Sequence, residues 1–241
     1  MIAMLVVMPT YNERANLERV VAGILAHDFT KVLIVDDNSP DGTGAMADAL
    51  VARHPDRVSV LHRTGPRGLG RSYIDGLKHA LTTGADAICQ MDADLSHDPV
   101  YLADLARGLE QYDLVIGSRY LNGVSVVNWP LHRIILSAFA NRYIRLITGL
   151  SPRDCTSAYR AWRRDALAKL PLAHARTSGY AFLPEMLVEA ARQGVRMGEV
   201  PIIFVERQEG YSKVSGPVLL ESLWTPWQII LRGGRLRRPR A

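Results

Sequence analysis

Apolar and polar positions follow two rhythms through the first half of the chain. Short aliphatic or β-branched runs at 3–8, 31–35, 58–62, 85–89 and 113–117 predict buried strands. Between them lie stretches at helical spacing, such as 13–27, where Leu17, Val20, Val21 and Ile24 share one face. Further helices are predicted from the loop at 36–43 to about residue 54, over 72–83 and over 100–110. Strand followed by helix, repeated with no Pro/Ser-rich linker, predicts an α/β fold: a mostly parallel, doubly wound sheet with helices on both faces. The second half is less regular, with a long amphipathic helix at 129–149, a short strand at 157–163, a helix at 182–194 and a strand at 197–206. The stretch 218–231 carries Leu219, Leu220, Leu223, Trp224, Trp227, Ile230 and Leu231 with one acid, a pattern that suits a helix against the protein core or a membrane interface.

Composition supports one substantial core: 241 residues, 48% hydrophobic and 22% charged, is ample for a single α/β domain and excludes disorder over most of the length. Cys89 and Cys155 lie in or beside apolar segments and match no metal-binding spacing, so reduced thiols in a cytosolic compartment are expected. Residues 1–8 are apolar but lack a basic lead and run straight into Pro9-Thr10-Tyr11-Asn12-Glu13, which reads as a first strand rather than a signal peptide. No apolar run reaches the roughly 20 residues needed to span a bilayer. A soluble or peripheral protein is expected.

Charge is unevenly placed. The formal net charge is +5 and the pI about 9.4, and residues 232–240 carry five arginines and no acid. Such a tail attracts anionic surfaces. No interleaved aromatics, RNA-binding motif or zinc-finger spacing accompanies it, so membrane phosphates are the expected partner and nucleic acid is not.

Candidate chemistry clusters after the predicted strands. The run Cys89-Gln90-Met91-Asp92-Ala93-Asp94-Leu95-Ser96-His97 places two carboxylates one residue apart at the end of the strand at 85–89, where α/β sheets hold ligands. A hard cation, Mg²⁺ or Mn²⁺, suits a few carboxylate oxygens and completes its shell with water and substrate phosphates. The alternative is a polar turn ahead of a helix beginning near Pro99, with Asp98 as its N-cap. Residues Gly65 to Gly70 form a glycine-rich loop that lacks the dinucleotide GxGxxG spacing and does not follow the first strand. Pro9, Tyr11, Asn12 and Glu13 after the first strand, and Val35-Asp36-Asp37 ending the second, are able to stack on or hydrogen-bond a base or ribose, or to form ordinary turns. With Asp92 and Asp94 they point to one sheet edge, which favours a single nucleotide pocket.

MPTYNE, VDDNSPDGT, the GLG loop, MDADLSH, GSRY, DCTSAYR and the segment from Glu206-Arg207 to Lys213 occur in this order over residues 4–215. In these motifs the chain resembles the inverting GT-A glycosyltransferases of family 2, and among them the polyprenol (dolichol) phosphate mannose synthases. The resemblance implies a GT-A fold and transfer of mannose from GDP-mannose to a polyprenyl monophosphate with a divalent metal. Position by position, it implies that Pro9, Tyr11 and Glu13 hold the guanine and ribose, and that Val35 and Asp37 close the base pocket. Asp92, Ala93 and Asp94 would form the diphosphate and metal site, with Asp94 the main metal ligand and Ser96 at the position of a further one. Arg119, Arg133, Arg207 and Lys213 match the family's basic positions, with Arg119 and Arg133 on the acceptor phosphate and Arg207 and Lys213 on the donor. Asp154 would orient the acceptor arginines or cap the turn before Thr156. Departures from the family pattern, Ala158 and Leu183 or Pro184, fall on the acceptor side.

A phosphate oxygen is already ionised near neutrality, so in-line attack with inversion needs no strong general base. The resemblance implies a catalytic domain at 1–215, with 216–241 as a C-terminal amphipathic helix and basic tail that meets the cytoplasmic membrane face or a membrane-embedded partner subunit. Two alternatives stay open: a polyprenyl-phosphate glucosyltransferase using UDP-glucose, and a catalytically silent subunit that binds sugar nucleotide.

Overall fold

Every residue of the first strand, β1 (Met4–Thr10), is buried, so this strand must be covered on both faces. The computed structural model, which describes residues 2–172, 182–206, 224, 226–231 and 236, shows how. After β1 come α1 (Arg14–Leu25), β2 (Thr30–Asp36), α2 (Thr43–Arg53), β3 (Val58–His62), α3 (Leu69–Leu81) and β4 (Ala87–Gln90). A 3₁₀ turn (Pro99–Tyr101), α4 (Leu102–Gly108) and β5 (Leu114–Ser118) follow. Then come β6 (Val126–Val127), α5 (Leu131–Thr148), β7 (Arg160–Arg163), α6 (Arg164–Ala168), α7 (Phe182–Arg192), β8 (Met197–Pro201) and β9 (Phe204–Val205).

The main sheet has seven strands in the order β3-β2-β1-β4-β7-β5-β8, all parallel except β7. Successive side chains point to opposite faces, and two cores result. Val7, Leu33, Val35, Ile88 and Trp162 pack under α3 and α7, whereas Val6, Met8, Val32 and Ile34 pack under α1, α2 and α4. The expected α/β architecture with helices on both faces is the observed one.

The departures have local causes. The predicted strand 197–206 divides at Pro201, which has no N–H for a ladder. Its first part pairs with β5 and its second with β6. The predicted strand 157–163 starts only at Arg160, because the Ser157 hydroxyl accepts from the Tyr159 N–H at 3.2 Å and holds a turn. α3 begins at Leu69, ahead of the expected 72, since the Ser72 N–H already donates to the Gly68 carbonyl at 2.9 Å. α5 stops where Gly149 adopts φ 86°, a left-handed cap that suits glycine. Of 218–231, residues 224 and 226–231 are helical, and 218–223 and 225 lie outside the described residues.

Two features of this topology create a site. Strand order reverses beside β1, whose neighbours are β2 and β4, and the loops after these three strands meet at the carboxyl edge, where sheets of this kind hold ligands. β7 runs the other way, with Arg160 opposite Gln90. The segment leading into β7, including Asp154 and Thr156, therefore arrives at the edge where β4 and β5 end.

α3 approaches β1 and β2 closely at Gly76, where a Cβ would lie 2.5 Å from Val7 Cγ1 and 2.7 Å from Val35 Cγ2. Those methyls belong to stiff β-branched residues in a close-packed layer. Gly76→Ala should cost about 1–3 kcal/mol of unfolding free energy, read by urea denaturation.

Candidate active site

At the first two strand ends, turns are built from side chains that bond their own backbone. Asp36 ends β2, Asp37 follows it, and both are buried. Asp36 accepts from the Ser39 hydroxyl at 2.6 Å and from Thr10 Oγ1 at 3.4 Å. Asp37 is held by the buried Arg63 guanidinium through Oδ1 and by the Gly68 N–H through Oδ2 at 2.8 Å. Arg67 stacks over the Tyr11 ring, 4.8 Å from its centroid, and donates to the Tyr11 hydroxyl at 2.9 Å and to the Asn38 carbonyl at 3.0 Å. The glycine-rich loop thus braces the Tyr11 and Asp37 turns. The Glu13 N–H donates to Thr43 Oγ1 at 3.0 Å, and Glu13 Oε2 accepts from Asn16 at 3.1 Å.

Two expected donor residues take a different posture. The Val35 side chain is fully buried in the core beneath α3, and Pro9, paired with Val35 in the β1–β2 ladder, is buried as well. Any contact of Val35 with a base would therefore run through its backbone, because the strand's alternation turns its side chain to the α3 face.

Beyond β4, Leu95 adopts φ 63°, uncommon for a branched side chain. This bend lets Asp94 Oδ1 accept from both the Ser96 N–H at 3.1 Å and the Ser96 hydroxyl at 2.5 Å. Asp92 Oδ1 accepts from the Tyr73 hydroxyl at 2.6 Å, and the Asp92 N–H donates to His97 Nδ1 at 3.0 Å. Burial pushes the Tyr73 hydroxyl well above its ordinary value, reinforced by Asp92, so it remains a donor. Burial also lowers the His97 pKa against the pull of Asp92 and Asp94. A neutral His97 accepting at Nδ1 carries its proton on Nε2. Asp98 does cap the following turn, accepting from the Val100 N–H at 2.9 Å. The cap is thus made by Asp98 and not by Asp92 or Asp94.

The donor set fits a hard divalent cation. Asp92 and Asp94 offer carboxylate oxygens one residue apart, and among the described residues no group of three His, Cys, Asp or Glu forms a metal cage. One or two carboxylates completed by substrate phosphate is the pattern of Mg²⁺ and similar ions. His97 Nδ1 is taken by the Asp92 N–H, so the protein's share of such a site would fall on the carboxylates, with Ser96 bonded to Asp94 rather than standing apart from it.

The cationic end is assembled around Asp154, which is fully buried. Arg119 grips it with Nε at 2.7 Å and Nη2 at 2.8 Å, adds its own backbone N–H at 3.1 Å, and also donates to Thr156 Oγ1 at 2.7 Å. Asp154 Oδ1 also accepts from the Thr156 N–H at 3.3 Å, so it both orients Arg119 and closes the turn. Burial pushes the Asp154 carboxyl up, but the charge and hydrogen bonds of Arg119 outweigh it and hold it below the usual carboxylate range. Arg133 stands in the first turn of α5, paired with Glu206 and 4.1 Å from the Trp129 ring centroid. Arg119 lies 5.6 Å from the same ring. Phe204 connects the two ends: its ring centroid is 5.6 Å from that of His97 and 5.4 Å from that of Trp129, with Arg119 5.4 Å away.

The structure thus gathers Tyr11, Glu13, Asp37, Asp92, Ala93, Asp94, Ser96, Arg119 and Arg133 along one sheet edge. Arg207 and Lys213 lie outside the described residues. The sequence reading did not single out Tyr73, His97, Arg63, Arg67, Trp129, Phe204 or Glu206. His97, Arg67 and Glu206 stand inside quoted motifs and Trp129 opens a predicted helix, which are signals, whereas nothing local marks Tyr73 in the middle of a helix. Of the departures, Ala158 is buried, and Leu183 contributes its carbonyl, which accepts from the buried Arg160 at 2.8 Å.

The model of glycosyl transferase family 2 matches residues 5–170. Polyprenol monophosphomannose synthase of Mycolicibacterium smegmatis is 44% identical over 239 residues, 98% of this chain and 89% of that protein. Undecaprenyl-phosphate mannosyltransferase of Micrococcus luteus is 43% identical over 236 residues, covering 97% of each. Among solved structures, glucosyl-3-phosphoglycerate synthase from Mycobacterium tuberculosis, crystallised with Mn²⁺, UDP and phosphoglyceric acid, has a TM-score of 0.72 over 98% of this chain and 80% of that one. At 18% identity that likeness is one of fold.

Asp154→Ala would strand a buried guanidinium and should cost about 3–5 kcal/mol, measured by denaturant unfolding. The pair also sets an acid dependence. Because the folded carboxyl lies below its unfolded value, its contribution is complete above the unfolded carboxylate range and is lost as pH falls through the folded value. Unfolding free energy followed from neutral pH into acid should fall more steeply in the wild type than in Asp154→Asn.

Proposed function

Because the chain belongs to glycosyl transferase family 2, we propose that it transfers mannose from GDP-mannose to a polyprenyl monophosphate, with inversion, at the cytoplasmic face of a membrane. The observation that carries this reading is that the Asp92–Asp94 turn, through His97 and Phe204, adjoins the Arg119 and Arg133 guanidiniums that share the Trp129 ring. A reaction that brings a lipid phosphate against a sugar diphosphate joins two anions, and it needs this separation of charge. The names of the two relatives, both acting on polyprenyl-type phosphates with mannose, support the same acceptor and sugar.

In this mechanism Asp94 and Asp92 would hold a divalent metal, Mg²⁺ or Mn²⁺, which when bound would offset charge on the departing diphosphate. Tyr73 and Ser96 fix the two carboxylates by bonding Oδ1 of each. Pro9, Tyr11, Glu13, Val35 and Asp37 border the nucleoside end, and Ala93 lies against the diphosphate. Arg119 and Arg133 receive the acceptor phosphate with charge-assisted hydrogen bonds. One acceptor oxygen attacks mannose C1 as the bond from C1 to the diphosphate oxygen breaks, and GDP leaves with the bonding electrons. Arg207 and Lys213 stabilise that leaving group. No proton is removed from the nucleophile, so rate rests on positioning and charge. The catalytic unit is residues 1–215, with 216–241 serving contact with the membrane or a membrane partner.

Purified protein given GDP-mannose, Mg²⁺ or Mn²⁺ and a polyprenyl phosphate should yield the β-linked lipid product, and Asp94→Ala should abolish it. Absence of product with wild-type protein would refute the reading. A melting temperature raised by UDP-glucose and metal, but not by GDP-mannose and metal, would move the donor to UDP-glucose. Tyr73→Phe keeps the ring that stacks on Phe182 but loses the bond to Asp92. It should lower turnover about tenfold and raise the metal concentration needed, leaving the acceptor KM unchanged, as steady-state kinetics at varied metal will show.

A further inference from the structure

We propose that Arg160 is a positioning residue that ties the acceptor end of the site to its metal end, so that neither shifts without the other. This rests on the placing of the acceptor phosphate at Arg119 and Arg133 and of the metal at Asp92 and Asp94. Arg160 opens β7 and is fully buried. Its ladder partner Gln90 is equally buried. Strand alternation turns both into the layer under α3 and α7, the side that Trp162 and Ile88 occupy. Arg160 donates there from Nη1 to the Leu183 carbonyl at 2.8 Å and from Nη2 to the Cys155 carbonyl at 2.9 Å.

A charged side chain is costly in this layer. No carboxylate among the described residues pairs with it, since Asp154, whose charge reaches it through space, is already gripped by Arg119. Burial pushes the Arg160 guanidinium down to about 10, which leaves it charged at neutral pH. Arg160 Nε and Gln90 Nε2 are buried with no hydrogen-bond partner among the described residues, while the Gln90 side-chain carbonyl accepts from Trp162 Nε1 at 2.8 Å. For cohesion alone, an apolar side chain of similar volume would serve the layer better. What the guanidinium adds is a rigid planar fork, whose arms hold two separate segments at once.

Each arm leads to one end of the site. Cys155 follows Asp154, which orients Arg119, and the Cys155 N–H donates to Asn141 Oδ1 at 2.7 Å, so Cys155 is held at both its N–H and its carbonyl. Leu183 stands in the first turn of α7 next to Phe182, whose ring centroid lies 5.5 Å from that of Tyr73. Tyr73 in turn donates to Asp92. Contacts therefore run unbroken from Arg119 to Asp92 through the core, with Arg160 between the two halves. Coupling along such a path needs an element on which both ends act. The fork is that element, because a shift at either carbonyl misaligns the bond to the other.

The test uses the full chain with Arg160→Met, which removes the fork, and with Arg160→Lys, which keeps the charge but gathers its donors at one point. Two affinities are measured by calorimetry at a temperature where melting curves show both variants folded: Mn²⁺ in the presence of GDP, and a water-soluble, short-chain polyprenyl phosphate. Both variants should bind each about tenfold more weakly than wild type, whereas Tyr73→Phe should weaken the metal alone. A lowered melting temperature with both affinities unchanged, a change at one end only, or full rescue in Arg160→Lys would overturn the proposal. If Arg160→Met does not fold, Arg160→Lys decides by the same criteria. Should wild type not bind both ligands, the reading of the site falls, and the tie is judged by denaturant unfolding. The effects of Tyr73→Phe and Asp154→Asn should then be non-additive in wild type and additive once Arg160 is replaced. Additivity in both backgrounds would refute the tie itself.

Discussion

Burial of the central strands on both faces leaves polar chemistry one outlet, the row of strand ends. β1 is buried along its whole length, and β2 is buried at all but one position, so these two strands leave no room for charged groups along their length. The carboxylates of Asp36, Asp37, Asp92 and Asp94 therefore appear only where the ladders stop. The same constraint acts on the reversed strand: β7 adds its chemistry before it begins rather than after it ends, which places Asp154 and Thr156 beside Arg119.

A site that concentrates charge has to be stable without its ligand. Arg119 is paired by Asp154, Arg133 by Glu206 and Asp37 by Arg63. A buried charge left unpaired is far more costly than a paired one, so these contacts fix the geometry of the strand-end loops. Trp129 lies against both Arg119 and Arg133 and holds two like charges near each other by the attraction of each for one aromatic ring. Donors aimed in advance need little rearrangement when substrate arrives, and a reaction limited by positioning benefits from that. Tyr73 and His97 play the same part beneath Asp92, one fixing its carboxylate and the other its backbone.

Much of this was legible in the chain. Alternation of buried strand and amphipathic helix specifies the layered α/β fold because period-two and period-3.6 patterns demand different backbones, and here the apolar positions agree with the backbone at nearly every element. Asp92, Asp94, Tyr11 and Asp37 were visible because each follows a strand directly, and strand ends in such sheets share one edge. Less visible were Pro201 dividing a strand and Ser157 delaying another, where one side chain or one missing N–H outweighs a longer apolar pattern.

The sequence by itself determined the order of the elements, the edge at which polar residues collect and the placing of Asp92 and Asp94 just beyond a strand, because each depends on local spacing. Only the tertiary structure decided which groups answer one another. Tyr73 reaches Asp92 across 19 positions, Arg119 reaches Asp154 across 35, and Arg133 reaches Glu206 across 73. Hydrogen bonds and ion pairs depend on separation in space over a few ångströms, and no periodicity along a chain encodes distances between segments so far apart. The antiparallel entry of β7 and the placing of Arg160 between Cys155 and Leu183 belong to the same class, since both follow from how finished elements pack.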